Sequence, residues 1–158
     1  MNAQTILQEY YPGYRVESFL PPDLLEICMG MLLEEKKEYW PNGQLRLQGN
    51  YVNGEKHGEW KLWYRNGQLR SQQTFVNGEL HGEHKEWYEN GRPESHKNYV
   101  NGELHGEYKK WHLVDEVGNN KLWSQGTYVN GELHGKCKSW YENGQLCTEE
   151  MYVDGDIV

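Results

Sequence analysis

The eight residues VNGELHGE run from Val76 to Glu83 and recur, letter for letter, from Val100 to Glu107. Two near copies are VNGEKHGE, from Val52 to Glu59, and VNGELHGK, from Val129 to Lys136. Successive copies are 24 residues apart, except that the last step is longer by five. A fixed period of this size indicates a chain built from stacked structural repeats.

A second series of Asn-Gly pairs alternates with these copies and begins at Asn42, Asn66, Asn90 and Asn143. The segments between the pairs are rich in Tyr, Trp, Val and Thr, which is typical of strands. Asn-Gly favours a hairpin because both central residues of a type I′ turn need positive φ. The pattern predicts a mainly β protein, a single-layer antiparallel meander of about ten strands from Lys36 to Val153.

The two series are expected to form different connections. We predict tight two-residue turns at Asn42, Asn66, Asn90 and Asn143, and longer loops at the VNGELHGE copies. In those loops the later glycine is also expected to be left-handed or closely packed. The structural loop residues are Asn53, Gly54, His57, Gly58, Asn77, Gly78, His81, Gly82, Asn101, Gly102, His105, Gly106, Asn130, Gly131, His134 and Gly135.

The segments YVNGEKHGEW and YVNGELHGEY resemble the MORN repeat, and the WYENGQL segments resemble its variant form in bacterial antitoxin-like proteins and large DNA viruses. The last glycine of the family pattern is replaced by Trp60, His84, Tyr108 or Cys137, which predicts a wider side-chain layer. The resemblance implies β-hairpin repeats and a non-enzymatic scaffold or protein-interaction role. An antitoxin-like inhibitor of a partner protein is an alternative.

Four histidines flanked by carboxylates, at positions 57, 81, 105 and 134, raise the question of a metal site or a row of bases. Equivalent residues lie two strands apart, about 9–10 Å, which is too far to share one ion. An edge loop also lacks the enclosed site that a general base needs. No enzyme, metal or cofactor is predicted, and each histidine is expected to hydrogen-bond a backbone group.

Strand alternation sorts the side chains onto two faces. One face carries the leucines and tyrosines and is the expected structural stripe, and the other carries tryptophan, lysine and valine. We predict a partner surface on the second face because tryptophan is favoured at interface hot spots. The alternative is that the rings cover the sheet beneath lysine methylenes. The candidate residues are Trp63, Trp87, Trp111, Trp123, Trp140, Lys61, Lys85 and Lys109.

The enlarged repeat holds five added residues near positions 115–119. A longer loop there restores the strand register and predicts a protruding hairpin with a cross-strand pair between Trp111 and Trp123. Individual function in repeat proteins often resides in such an insertion. Neutral variation of a loop is the alternative.

Residues 1–35 are not repetitive, and the repeat sheet is assigned to residues 36–158. Pro22 and Asp23 suit the start of a helix, so we expect a helical cap over the first strand. Within residues 20–32, the stretch LPPDLLEICMGML resembles the opening of an F-box. That resemblance implies a ubiquitin-ligase adaptor that binds through Leu20, Leu24, Leu25 and Ile27.

The net charge of −8 disfavours binding to nucleic acid and to anionic membranes. The three cysteines fit no metal-binding spacing, and no signal peptide or membrane-spanning run is evident. We therefore expect a cytoplasmic protein, intracellular in the host if viral, that binds a protein partner. A homodimer formed through an edge strand or the N-terminal helix is an alternative.

Overall fold

The computed structural model describes residues 33–113 and 120–158. Within these ranges the regular structure is one open antiparallel sheet of 13 strands in meander order. The predicted single-layer meander is therefore confirmed. Residues 1–32 of the helical cap predicted for 1–35, which include the F-box-like Leu20, Leu24, Leu25 and Ile27, lie outside the described residues, as does the insertion at 115–119.

The strands follow the order expected of two strands per repeat. Their bounds are β1 Leu33–Tyr39, β2 Leu45–Val52, β3 Glu55–Trp63, β4 Leu69–Val76, β5 Glu79–Trp87, β6 Pro93–Val100, β7 Glu103–Leu104, β8 Gly106–Trp111, β9 Leu122–Val129, β10 Glu132–Leu133, β11 Gly135–Trp140, β12 Leu146–Val153 and β13 Asp156–Ile157.

The strand count exceeds the prediction because two strands are interrupted and because β13 follows the last predicted strand. The strand that follows a tight turn is divided at His105 into β7 and β8, and at His134 into β10 and β11. In addition, β1 begins at Leu33, before the boundary predicted at Lys36. At the other end, β12 pairs with β13 only at Tyr152 and Val153. Pairing of this edge with a second copy stays a prediction.

The tight turns lie at the VNGELHGE copies, so the predicted assignment of the two turn types was wrong. Val52 pairs directly with Glu55, and Asn53 and Gly54 have φ values of 52° and 81°. Both central residues are thus left-handed, as a type I′ turn requires. The same geometry recurs at Asn77, Asn101, Asn130 and Asp154. The later glycines, Gly58, Gly82, Gly106 and Gly135, also have positive φ, as predicted.

The other Asn-Gly series forms wider connections. In the first of them, Gly43 N donates to Trp40 O and Trp40 N donates to Gln44 O, and only Gly43 has positive φ. This is a three-residue loop, a type I turn closed by a left-handed glycine. Pro41 occupies the second position of the turn, where its fixed φ fits. A side-chain oxygen of Asn42 also accepts from Gln44 N.

Each tight turn from Asn77 onward is hydrogen-bonded to the repeat before it. Gly78 N donates to Lys56 O, and the same bond recurs one repeat later from Gly102 N to Leu80 O. The repeats therefore stack through backbone bonds at this edge, in addition to the strand pairing.

The small core lies on the face that carries Trp60 and Phe75, called here the aromatic face. Trp60 is 1% exposed and Phe75 is 8% exposed, and the Trp60 ring meets Tyr51 and Phe75 edge-on at 5.1 and 6.1 Å. A Cβ added at Gly49 would overlap the Trp60 ring. The family glycine missing at Trp60 is thus offset by a glycine on the facing strand. The wider side-chain layer stays a prediction.

Candidate functional site

Aromatic or imidazole rings at the wide turns link each repeat to the next. These residues, called here the ring column, are Trp40, Tyr64, Tyr88, His112 and Tyr141. In each of the first four, a polar side-chain atom lies within hydrogen-bond distance of the backbone carbonyl oxygen of the tryptophan in the next repeat. The contacts are Trp40 Nε1 to Trp63 O (3.1 Å), Tyr64 OH to Trp87 O (2.8 Å), Tyr88 OH to Trp111 O (2.7 Å) and His112 Nε2 to Trp140 O (2.9 Å).

A second series, called here the cover positions, comprises the residues in the strand bulges after the wide turns. The cover residues are Arg46, Arg70, Glu94, Trp123 and Cys147. The guanidinium carbon of Arg46 lies 5.1 Å from the centre of the Trp40 ring, and that of Arg70 lies 5.7 Å from Tyr64. In these two repeats the cover residue therefore shields the ring of its own repeat.

The predicted cross-strand pair of Trp111 and Trp123 does not form. Trp111 pairs with Leu122, and Trp123 falls in the bulge between Leu122 and Ser124. Trp123 instead meets the His112 ring at a centroid distance of 5.9 Å, and Lys110 Nζ lies 4.6 Å from its ring centre. The prediction failed because every hairpin of this type contains a bulge, which displaces the expected partner by one residue.

An open groove of about 650 Å³ lies at the wide-turn edge near the C-terminal end of the sheet. This edge groove is lined by His112, Trp123, Ser139, Trp140, Tyr141, Glu142, Asn143 and Cys147. Tyr141 is 56% exposed and Trp123 is 42% exposed. A hydrogen bond with Cys147 raises the pKa of the Tyr141 hydroxyl, which places the thiol beside that hydroxyl.

The predicted partner residues divide between two environments. Trp123 and Trp140 meet in the edge groove, whereas Trp63, Trp87 and Trp111 are half-buried and do not line it. The lysines directly follow Trp60 and its counterparts along the strands, so they lie on the side of the sheet opposite the aromatic face, called here the charged face. Their assignment as a partner surface stays a prediction.

Each lysine of the charged face is paired with a nearby glutamate. Lys61 Nζ lies 2.5 Å from Glu59, Lys85 lies 2.5 Å from Glu83, and Lys109 lies 2.9 Å from Glu107. These partners precede the lysines by two residues on the same strand, so alternation places them on one face. Among the described residues, the cation–ring contacts of lysine involve Lys56 and Lys110, not these three. The charged face therefore carries largely compensated charge.

The four loop histidines have unlike surroundings. His57 is buried, and burial lowers its pKa. His81 is exposed. His105 Nδ1 accepts from Asn130 N at 3.4 Å, and His134 Nδ1 lies 3.4 Å from Asp154. The prediction of a backbone hydrogen bond is confirmed for His105.

A polar cluster on the aromatic face has the composition of an acid–base site. Ser71 Oγ lies 3.3 Å and Glu86 Oε1 lies 3.8 Å from the same atom, Nε2 of His84. A catalytic relay needs the acid and the nucleophile on opposite ring nitrogens. The other nitrogen, Nδ1, is buried without a hydrogen-bond partner. The cluster therefore lacks the geometry of a relay.

Electrostatics in this cluster favour fixed charges rather than proton transfer. Burial lowers the pKa of His84 against the opposing effect of Glu86. Burial would raise the pKa of Glu86, but hydrogen bonds from Ser95 (2.6 Å) and Lys97 (3.0 Å) outweigh it and leave that pKa lowered. A neutral histidine beside an ion pair of Glu86 and Lys97 is the resulting state at neutral pH.

Within residues 33–113 and 120–158, no group of three or more His, Cys, Asp or Glu side chains could hold a metal ion. The same part of the chain contains no helix long and apolar enough to cross a membrane.

The described residues define a class of protein: an open sheet of β-hairpin repeats with open grooves on its surface. The family pattern of the MORN repeat variant matches residues 35–53, 56–77, 80–101 and 133–154, which together make up more than half of the chain. The chain belongs to the MORN repeat family, whose members are generally protein- or membrane-interaction modules and not enzymes. No curated protein matches the chain. The unmatched segment between 101 and 133 contains the enlarged repeat.

Sequence reasoning missed Tyr141 and Cys147 as members of a site. The signal was present, because the residue six positions after Trp40 and after Tyr64 is arginine, whereas the residue six positions after Tyr141 is cysteine. The physical meaning of that spacing depends on the bulge, which brings the cover residue onto the ring.

Proposed function

We propose that the protein is a non-enzymatic interaction module that binds a protein partner through the edge groove. The observation that carries the proposal is the meeting of Trp123, Trp140 and the exposed Tyr141 in one concave surface. Large aromatic residues in a concave surface are the usual anchors of protein recognition because they bury much area at small conformational cost.

The charged face supports protein binding over membrane binding as the function of this chain. Recognition of anionic lipid needs uncompensated lysine or arginine. Lys61, Lys85 and Lys109 are each paired with a glutamate, and the net charge is −8. The adaptor hypothesis rests on residues 20–32, and the inhibitor hypothesis rests on the resemblance alone.

Affinity capture with matched variants tests the proposal. The full chain, its Trp123→Ala variant and its Trp87→Ala variant are used as baits, and thermal unfolding verifies that each is folded. Trp87 has the same position in its hairpin as Trp111 and Trp140, but it lies outside the groove. We expect partners captured by the wild type to be lost with Trp123→Ala and retained with Trp87→Ala.

Equal loss of partners with both folded variants would contradict the proposal, because it would point to the charged face or to a general effect on the sheet. Co-sedimentation with vesicles of phosphatidylserine and phosphatidylcholine gives the membrane comparison. We expect the protein to stay in the supernatant at low salt. Sedimentation with the vesicles would instead indicate that the protein binds a lipid surface.

A further inference from the structure

The ring column and the cover positions form a repeated two-residue unit, and the chain itself shows which side chain suits it. In the first two repeats an arginine guanidinium lies over the ring, at 5.1 Å for Arg46 on Trp40 and 5.7 Å for Arg70 on Tyr64. A planar guanidinium is weakly hydrated and stacks favourably on an aromatic face. The ring and its cover position therefore form a stacking site for arginine, and in these two repeats an arginine of the chain itself occupies it.

The fourth repeat fills the same unit in another way. Trp123 lies against His112, and Lys110 lies over Trp123 with its Nζ 4.6 Å from the ring centre. In this unit the cation of Lys110 covers the Trp123 ring, and that ring in turn lies against His112. The chain thus places a cation at this edge in three of the repeats.

The unit at Tyr141 differs from these three because its cover residue is Cys147, whose thiol supplies no cation to the ring. Tyr141 is 56% exposed, and among the described residues no lysine or arginine lies over it. The edge groove is bordered by these two residues and also contains Glu142. The space beside the ring is therefore open and carries a carboxylate.

We propose that the edge groove binds an arginine side chain of the protein partner, with its guanidinium on Tyr141 in the position that Arg70 takes on Tyr64. Glu142 supplies the opposite charge, and the net charge of −8 favours the approach of a basic segment. This inference rests on the proposed function and specifies the partner chemistry at that site.

Titration with short peptides tests the inference on the full-length protein. The probe is a Gly-Gly-Arg-Gly-Gly peptide with blocked ends, and the controls carry lysine or citrulline in place of arginine. Nuclear magnetic resonance of the tyrosine rings reports binding at Tyr141. We expect saturable shifts with the arginine peptide and binding about two- to fivefold weaker with citrulline, which keeps the shape but lacks the charge.

Two variants give the inference a matched set. Cys147→Arg should place the chain's own guanidinium over Tyr141 and abolish the shifts there. Arg70→Ala should uncover Tyr64 and create a second binding site with its own shifts. The gain of a site is informative even if Cys147→Arg does not fold.

Equal affinity for the citrulline or the lysine peptide would overturn the inference, as would the absence of any shift at Tyr141 over the titration. Its failure is distinct from failure of the proposed function. If Trp123→Ala removes the captured partner while the folded Cys147→Arg variant retains it, the groove binds protein without an arginine on Tyr141. If Cys147→Arg also removes that partner, and the arginine peptide competes with it, the inference holds.

Discussion

The hairpin of β2 and β3 and its equivalent nearer the C-terminal end, formed by β9, β10 and β11, have the same tight turn but are filled differently. Around β2 and β3, Trp60 lies on Gly49 and is almost fully buried. At the equivalent place near the other end, Cys137 faces Gly126, and the neighbouring Tyr141 is more than half exposed. The comparison shows that the turns and the strand register stay the same from repeat to repeat. The size of the side chains decides which hairpin has a packed core and which one leaves an exposed aromatic surface.

The largest expected effect is at the filled end. Trp60→Ala removes a buried ring with its contacts to Tyr51 and Phe75, so we expect a loss of about 3–5 kcal/mol in unfolding free energy. Cys137→Ala should cost at most about 1 kcal/mol. Urea denaturation of both variants measures the difference. Equal losses would mean that the two ends are not filled differently in energetic terms.

Proline substitutions test whether the backbone is indeed shared. Asn77→Pro and Asn130→Pro force φ near −65° where the turn needs about +50°, and each should cost about 3 kcal/mol. Arg65→Pro and Glu142→Pro match Pro41 in the wide turn and should each stabilise by about 0.4–1 kcal/mol. Thermal unfolding of the four variants is the measurement. A clear difference between the two members of a pair would show that the ends differ in their turns as well.

Alanine substitutions at the facing glycines, Gly49 and Gly126, test the same comparison by adding one methyl group to each hairpin. A Cβ at Gly49 would overlap the Trp60 ring, so Gly49→Ala should cost about 1–3 kcal/mol. A Cβ at Gly126 would lie 2.7 Å from Cys137 Sγ, a small group that can rotate away, so Gly126→Ala should cost less than about 1 kcal/mol. A double-mutant cycle provides the control, because Gly49→Ala should cost almost nothing in the Trp60→Ala background.

The smallest expected effect concerns His84, which has the place of Trp60 one repeat later. Burial holds its pKa below the ordinary value of 6.5 in the folded state, so the unfolded chain binds the proton more readily. The contribution of neutral His84 to the free energy of unfolding should therefore be fully present above pH 6.5 and decrease as the pH falls toward 5. His84→Gln should reduce this slope, and the buried His57, whose pKa is also lowered, accounts for part of the remainder.

The control for this pH effect is His81→Gln, because His81 is exposed in the neighbouring loop. Urea denaturation between pH 5 and 8 should give the same slope for His81→Gln as for the wild type. A slope that is unchanged in His84→Gln as well would assign the pH dependence to other groups.

Much of the fold could be predicted because it depends on local chemistry. The period, the alternation and the Asn-Gly pairs all indicate an antiparallel meander. The choice between the two turn types could not be made from Asn-Gly alone, since the dipeptide suits both. Pro41 was the overlooked signal: its fixed φ places Asn42 at the third position of a type I turn, where a type I′ turn is excluded.

The candidate site was only partly predictable for the same reason. Trp123 was identified as unique from its place in the enlarged repeat, but its partner was assigned as if the strands paired without interruption. The bulge moves Trp123 from Trp111 onto His112. Register changes of this kind depend on hydrogen bonds between strands and leave no distinct residue pattern.

The sequence by itself determined that this protein is a stack of β-hairpins, because the 24-residue period and the Asn-Gly pairs repeat along the chain. Only the tertiary structure decided that arginines cover the rings at Trp40 and Tyr64 and that Tyr141 is left open. The physical reason is that residues six apart along the chain meet only when a turn and a bulge fold one strand back onto the other.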